Sequence, residues 1–232
     1  MIARGRTGGR SADGTRPLRM AVPKGALYRD SVRLLELAGI ETGDLAEPGR
    51  SLIISAGEIE YIIAKPTDIP VYVAYGGVDV AIAGKDVLVE AGLSVVELAD
   101  LGFGACRFVV AEREDAAVGI EELYRHLGVI RVATKYPRIT EQHFAERGMQ
   151  VELIKLHGNI ELAPLIGLAD RIVDITATGT TLAENRLRIV EEVLPSTARF
   201  VANAASLATD AARVTKLAER LAAAAPLLSK EG

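Results

Sequence analysis

The chain has 232 residues and a mass of 24.7 kDa, a size typical of one large domain or two small lobes. Hydrophobic residues make up 49% and charged residues 25%, with a mean hydropathy of +0.22, which excludes wholesale disorder and a collagen-like chain. The 27 Lys and Arg residues against 31 Asp and Glu residues give a net charge of −4. We therefore expect no nucleic-acid partner, because nonspecific binding to nucleic acid depends on a basic field.

The first 17 residues are rich in Gly and Arg. Arg4, Arg6, Arg10 and Arg16 accompany a single acid, Asp13, and no apolar segment of the kind found in secretory signals follows them. This composition favours a disordered N-terminal arm over residues 1–17, with a transit peptide or an RNA-contacting tail as the alternatives. The whole sequence lacks an uncharged apolar run of about 18 residues, so we expect no membrane partner and a cytoplasmic protein.

Hydrophobic periodicity predicts short strands that alternate with helices from residue 18 onward. In the first part of the chain, strands are predicted at 18–22, 51–54, 58–64, 78–83, 95–99 and 106–111, and helices at 28–38, 68–75 and around 87–89. In the second part, helices are predicted at 120–127, 140–147, 160–168, 182–192 and 204–228, and strands at 131–133, 150–156, 171–175 and 199–203.

This alternation predicts an α/β fold with mostly parallel sheets flanked by helices. The likeliest crossings between two lobes are in segments 104–117 and 192–196. They would make the first lobe discontinuous, with residues 18–107 plus 195–232 in lobe I and residues 108–194 in lobe II.

The segment from Asp174 to Leu182 lies directly between a predicted strand and a predicted helix. Gly179 permits a positive φ and close approach to a ligand, and the segment 177–181 offers backbone N–H groups and threonine hydroxyls at a helix N-terminus. The lysine of a nucleoside-triphosphate P-loop is missing. The pattern predicts a phosphate-binding loop, and a Thr-rich helix cap is the purely structural alternative. Because Asp174 suits ribose hydroxyls or Mg²⁺, the segment predicts a phosphoribosyl site.

Polar residues also follow other predicted strands, at the edge where open α/β sheets bind ligands. They are Lys24 with Gly25, Lys65 with Asp68, Gly84 with Lys85, and His157 with Glu161. Each is typical of a solvated loop when taken singly. Their repeated placement predicts a polyanionic ligand bound with Mg²⁺, because lysine serves as a point charge for phosphate and carboxylates bind hard cations.

Several segments in order resemble the ATP phosphoribosyltransferase family, over about residues 18–208. They are LRMAVPKG (18–25), KPTDI (65–69), GKDVL (84–88), RVATKYP (131–137), GNIE (158–161), GLAD (167–170) and DITATGTTL (174–182). The resemblance implies a two-lobed fold like the type II periplasmic binding proteins. It also implies transfer of the 5-phosphoribosyl group from 5-phosphoribosyl 1-pyrophosphate to N1 of ATP with Mg²⁺, releasing pyrophosphate, as the first step of histidine biosynthesis.

The resemblance also implies roles for individual residues. The 5′-phosphate would be bound by Ala177, Thr178, Gly179, Thr180 and Thr181. Asp174 and Glu161 would face the ribose hydroxyls as catalytic residues, and they are the candidate metal ligands. Pyrophosphate or nucleotide would be bound by Lys24, Gly25, Lys65 and Gly84, with Lys65 as the third catalytic residue. Lys65 stands where relatives often have Arg, so it keeps the charge but lacks the two-pronged guanidinium.

One predicted helix follows the last strand, which is similar to the short form of the family without its C-terminal regulatory domain. This implies a separate regulatory subunit related to histidyl-tRNA synthetase, and a catalytic homodimer within a hetero-oligomer. Two other functions stay open: an anion-binding or effector-sensing protein of the same fold, and a type I phosphoribosyltransferase that uses a free base.

Overall fold

The structure is a computed structural model that describes residues 16–228. The strands are β1 Leu18–Pro23, β2 Ile53–Ala56, β3 Ile59–Ala64, β4 Val80–Gly84, β5 Val96–Asp100, β6 Cys106–Arg113, β7 Ile130–Thr134, β8 Val151–Lys155, β9 Arg171–Thr176, β10 Leu187–Ser196 and β11 Ala198–Ala202. The α-helices are α1 Tyr28–Leu37, α2 Ile69–Ala74, α3 Lys85–Ala91, α4 Ile120–Leu127, α5 Pro137–Glu146, α6 Leu162–Leu165, α7 Thr180–Glu184, α8 Ala204–Thr209 and α9 Ala211–Leu228. Short 3₁₀ turns occur at Gly43–Ala46 and Pro66–Asp68.

The chain divides into two compact units. Of the described residues, those up to Gly104 and from Thr197 onward form unit 1, and Ala105–Ser196 form unit 2. The crossings predicted within 104–117 and 192–196 thus consist largely of the strands β6 and β10, which pair with each other in unit 2. The predicted lobe boundaries after residues 107 and 194 lie inside these two strands, and each strand belongs entirely to unit 2.

Unit 1 contains a six-stranded sheet in the order β2-β3-β1-β4-β11-β5. Its centre is parallel: β1 lies between β3 and β4, and Pro23 pairs with Ala64 at the carboxyl end. The outer pairings, β2 with β3, β4 with β11, and β11 with β5, are antiparallel.

The central strands of unit 1 are buried on both faces. Met20 and Val22 of β1 pack into one apolar cluster with residues of α1 and α9, whereas Ala21 packs on the opposite face with residues of α2 and α3. Alternation along the strand sends successive side chains to opposite faces, so a continuous apolar run is required at this position. The burial fixes the carboxyl ends of β1, β3 and β4 at one edge.

Unit 2 contains a five-stranded sheet in the order β10-β6-β9-β7-β8. Strand β9 is parallel to β7, which is parallel to β8, whereas β6 is antiparallel to both β9 and β10. The α/β fold class is confirmed, but the sheets are mixed rather than mostly parallel, since antiparallel pairings flank the parallel core of each sheet.

The prediction of a helix over residues 182–192 is wrong. Helix α7 ends at Glu184, Arg186 adopts a left-handed backbone conformation with φ of 54°, and β10 then pairs with β6 from Leu187 to Ser196. The β-branched residues Ile189, Val190 and Val193 favour a strand once a partner strand is available. The helix predicted over 160–168 is likewise shortened to α6.

The predicted N-terminal arm lies mostly outside the described residues. Its last two residues, Arg16 and Pro17, are described, and Arg16 is not part of a detached arm. Both terminal nitrogens of Arg16 donate to the carboxylate of the buried Asp79, each at 2.6 Å.

The C-terminal helix predicted over 204–228 is two helices, α8 and α9, separated at Asp210. Val214, Leu217 and Leu221 of α9 recur at helical spacing and are buried in the core of unit 1. No helix in the region from 16 to 228 is both long enough and apolar enough to cross a membrane.

Candidate active site

The half-buried Asp174 lies on β9, the central strand of unit 2. Its Oδ1 accepts a hydrogen bond from the backbone N–H of Ile175 at 2.9 Å. Burial raises the pKa of Asp174; the Ile175 hydrogen bond and the charge of Lys135 lower it, and the charge of Glu161 raises it. The carboxylate therefore lies in the field of one cation and one further acid, and its negative charge is incompletely hydrated.

The segment 177–181 forms a turn between β9 and α7. Gly179 adopts φ of 83°, and its N–H donates to Thr176 Oγ1 at 2.8 Å. The hydroxyls of Thr178 and Thr180 are hydrogen-bonded to each other at 2.8 Å. The N–H of Thr181 lies in the first helical turn, where such groups have no partner within the helix.

The left-handed conformation explains why a glycine is required at position 179. A Cβ at this position would be strained by φ and would lie 3.2 Å from Ile189 Cδ1 on β10. Because α7 has five residues, its dipole is short, and the local N–H and hydroxyl donors of the turn would supply most of the attraction for an anion.

Glu161 is the residue that precedes α6, and it is partly buried. The neighbouring Asn159 has a left-handed φ of 47°, a conformation that asparagine tolerates better than most residues. The turn brings Glu161 close enough to Asp174 for its charge to act on that carboxylate. The structure thus places both predicted carboxylates at the carboxyl edge of the unit 2 sheet, together with the predicted phosphate loop.

Lys24 and Lys65 lie at the carboxyl edge of the unit 1 sheet. They directly follow the paired residues Pro23 and Ala64 of two parallel strands, and the Lys24 N–H donates to the Ala64 carbonyl at 2.8 Å. Both side chains are exposed, and neither makes an ion pair with an acid among residues 16–228. Two ammonium groups are therefore available to an anion at this edge.

Gly25 and Gly84 complete the predicted set in unit 1. Gly25 has φ of 82° and accepts a hydrogen bond from the Tyr28 N–H through its carbonyl at 3.0 Å, which opens α1. A Cβ at Gly84 would lie 2.0 Å from Asp86 Oδ1, so glycine allows the Asp86 side chain to fold over the end of β4.

Lys85 was also among the lysines predicted to face a ligand. In the structure its Nζ donates to Glu97 at 2.7 Å, so its charge is compensated within unit 1. His157, which also follows a predicted strand, is exposed.

Lys135 is a charged residue near the site for which no role was predicted from the sequence. It directly follows β7, the strand adjacent to β9, and its charge acts on Asp174. The signal in the sequence was its position after a predicted strand, within RVATKYP. The register that brings it level with Asp174 could not be predicted locally.

Two cavities lie away from these strand ends. One, of about 360 Å³, is lined by Leu18 and Ile59, the first residues of β1 and β3, and the other, of about 290 Å³, by Arg131 and Arg171 near the starts of β7 and β9. Since ligands of open α/β sheets bind at the carboxyl ends of strands, neither cavity is the candidate active site.

The fold is shared with known structures. A structure titled as the ATP phosphoribosyl transferase (HisG:HisZ) complex from Thermotoga maritima has 31% sequence identity and a TM-score of 0.76, and the match covers 90% of this chain and 98% of that chain. The periplasmic aliphatic sulphonate binding protein SsuA from Escherichia coli has a TM-score of 0.60 at 12% identity, over 93% of this chain and 75% of that one. At that identity the likeness to SsuA concerns the fold alone. The chain thus has the two-unit α/β fold of the type II periplasmic binding proteins.

The family follows from the sequence matches. The profile of the family described as HisG, ATP phosphoribosyltransferase, matches residues 65–223. The ATP phosphoribosyltransferase of Rubrobacter xylanophilus is 52% identical over 191 residues, which is 82% of this chain and 88% of that protein. This chain belongs to the ATP phosphoribosyltransferase family, the transferases of the first step of histidine biosynthesis, and the resemblance described from the sequence is confirmed.

Proposed function

We propose that this chain transfers the 5-phosphoribosyl group from 5-phosphoribosyl 1-pyrophosphate to N1 of the adenine of ATP. The bond between ribose C1 and the pyrophosphate oxygen breaks, the bond from C1 to N1 forms, and pyrophosphate leaves. Membership of the family and the Gly179 turn beside Asp174 support this proposal. We place the reaction in the cytoplasm, where both substrates are made.

The described side chains fit the charges that this displacement creates. Negative charge grows on the leaving pyrophosphate, and the exposed Lys24 and Lys65 offer positive charge for it. Positive charge grows on the ribose, and the carboxylates of Asp174 and Glu161 offer negative charge there. The 5′-phosphate would be bound by the N–H and hydroxyl donors of 177–181. Orientation of a weak nucleophile such as adenine N1 would supply a further part of the rate.

A Mg²⁺ ion fits this site only together with its substrate. The described residues contain no group of three His, Cys, Asp or Glu side chains that could hold a metal by themselves. Mg²⁺ commonly binds one or two carboxylates plus substrate phosphates, and Asp174 with Glu161 supplies that number. When bound, the ion would neutralise charge on pyrophosphate and improve it as a leaving group.

A regulatory partner forms part of the proposal. The Thermotoga maritima structure is titled as a HisG:HisZ complex. The matched region covers 98% of that chain and 90% of this one. We infer that this chain works as a catalytic homodimer within a hetero-oligomer that contains a regulatory subunit related to histidyl-tRNA synthetase.

The test is the release of pyrophosphate from 5-phosphoribosyl 1-pyrophosphate and Mg²⁺ by the full chain. ATP, orotate and purine bases serve as alternative acceptors, each with and without the regulatory subunit. We expect release with ATP alone, an increase with the subunit, and sensitivity to histidine only in its presence. Release with a free base but not with ATP would indicate a type I phosphoribosyltransferase instead. Anion binding without release under any condition would indicate a binding protein.

A further inference from the structure

Lys135 is held level with Asp174 by the pairing of their strands. In the parallel register of β7 with β9, Thr134 is the partner of Val173, so the next residues along the two chains are Lys135 and Asp174. Lys135 itself lies in the bend that directly follows β7, one residue beyond this last pair. The charge of Lys135 accordingly favours the ionised form of Asp174.

The backbone on either side of Lys135 is fixed. The Thr134 hydroxyl donates to the Val173 carbonyl at 2.8 Å and accepts the Tyr136 N–H at 2.9 Å, which ties this turn to β9. The Tyr136 ring packs edge-on against Phe108 of β6, with ring centroids 4.7 Å apart. Because the backbone of this turn is already held, only the Lys135 side chain has to become ordered when a ligand binds.

The acids next to the phosphate loop make a nearby cation favourable for binding phosphate. Residues 176–181 carry no charged side chain, and the adjacent acids Asp174 and Glu161 are negative. A phosphate dianion bound beside two carboxylates is repelled by them, and a fixed cation of the protein lowers this repulsion in addition to what a bound Mg²⁺ ion would do. Within the part of the chain that the structure describes, the half-buried ammonium of Lys135 makes no ion pair of 4 Å or less with an acid, so it is available for this purpose.

We propose that the Lys135 ammonium binds a phosphate group of the phosphoribosyl donor beside Asp174, and so gives unit 2 a cation of its own for that substrate. This inference rests on the proposed function and adds a substrate-binding residue to it. The group bound is the 5′-phosphate or the pyrophosphate, and two probes separate these: ribose 5-phosphate carries only the first, and inorganic pyrophosphate only the second.

The experiment measures binding of each probe to the full chain by isothermal titration calorimetry with Mg²⁺ present. The variants are Lys135→Gln, Lys135→Arg and the control Lys155→Gln. Lys155 is an exposed lysine on β8 that pairs with Thr134, which in turn pairs with Val173, so alternation places it on the face opposite Asp174. Far-UV circular dichroism and thermal midpoints establish that the variants are folded.

We expect Lys135→Gln to weaken the binding of one probe by about tenfold or more, the size of a charged contact to phosphate, and to leave the other less affected. Lys135→Arg should restore most of the affinity, because it keeps the charge, and Lys155→Gln should bind as the unchanged chain does. If Lys135→Gln binds both probes as tightly as the unchanged chain does, the inference is overturned. A loss that Lys135→Arg does not restore would overturn it as well, since the residue would then act only in shaping the turn.

The failure of this inference is distinct from that of the proposed function. If the unchanged chain binds a probe and releases pyrophosphate with ATP, and Lys135→Gln does the same, only the role of Lys135 is lost. If the unchanged chain neither binds the probes nor releases pyrophosphate, both proposals are overturned.

Discussion

The buried Asp79 provides a quantitative test of how unit 1 is held together. Its carboxylate accepts hydrogen bonds from both terminal nitrogens of Arg16 at 2.6 Å, from the Arg19 N–H at 2.9 Å and from the Ser206 hydroxyl at 2.6 Å. Burial raises the pKa of Asp79, but these donors and the charge of Arg16 outweigh it and lower the pKa to about 2. Asp79, which directly precedes β4, thus links this strand to β1, to α8 and to Arg16.

The lowered pKa can be converted into stability. Against an ordinary value of 3.8, a folded-state pKa of about 2 corresponds to about 2 kcal/mol, at roughly 1.4 kcal/mol per pKa unit. Because the pKa is lower in the folded state, this stabilisation is fully present above pH 3.8 and is lost as the pH falls toward 2. At pH 3 about half of it should remain.

The perturbation is Asp79→Asn, measured by urea unfolding at pH 7 and at pH 3. We expect the variant to be less stable by about 2 kcal/mol at pH 7, and the difference to shrink at pH 3 as Asp79 of the unchanged chain becomes protonated. Asp115→Asn is the matched control. Asp115 has the same two-pronged pairing with Arg113 at 2.8 and 2.6 Å, but it is fully exposed and should leave the unfolding midpoint unchanged. A loss for Asp79→Asn that is the same at both pH values would refute the reasoning, because it would not come from the ionised carboxylate.

Three further predictions concern unit 2. If the Asp174 carboxylate faces the developing positive charge as proposed, Asp174→Asn should lower turnover roughly a hundredfold while the thermal midpoint is kept; unchanged turnover in the pyrophosphate assay would exclude that role. Gly179→Ala should destabilise the chain by about 1–2 kcal/mol in urea and weaken ribose 5-phosphate binding, since it forces a left-handed alanine against Ile189; Gly158→Ala, at an open position without positive φ, should cost less. Glu112→Gln should destabilise by about 3–5 kcal/mol in the same unfolding measurement, because it leaves the buried Arg171 without its ion-pair partner.

The elements that the sequence predicted well are those with local signals. The segment from β9 into α7 was predicted because an apolar strand, a glycine and threonines occur together within nine residues. The C-terminal helical region was predicted because apolar residues such as Val214, Leu217 and Leu221 recur there at helical spacing, and these three are buried.

The elements that were missed depend on partners distant in the sequence. Strand β10 contains acids and apolar residues that also suit a helix, and its conformation is decided by pairing with β6, about 80 residues earlier. Arg16 was assigned to a disordered arm because its partner, Asp79, is 63 residues away. Lys135 was left without a role because only the register of β7 with β9 brings it level with Asp174.

The distribution of charge in the two units follows from where parallel strands end. In unit 1, Lys24 and Lys65 follow the ends of β1 and β3, which are parallel strands. In unit 2, Asp174 lies on β9, and the charge of Glu161 acts on it. If these two acids face a ribose that becomes positive, as the proposed function holds, they also oppose the binding of the substrate's own phosphate, and a cation beside them would reconcile the two requirements. Lys135 is our proposal for that cation, because it follows Thr134, whose hydroxyl is hydrogen-bonded to the strand bearing Asp174.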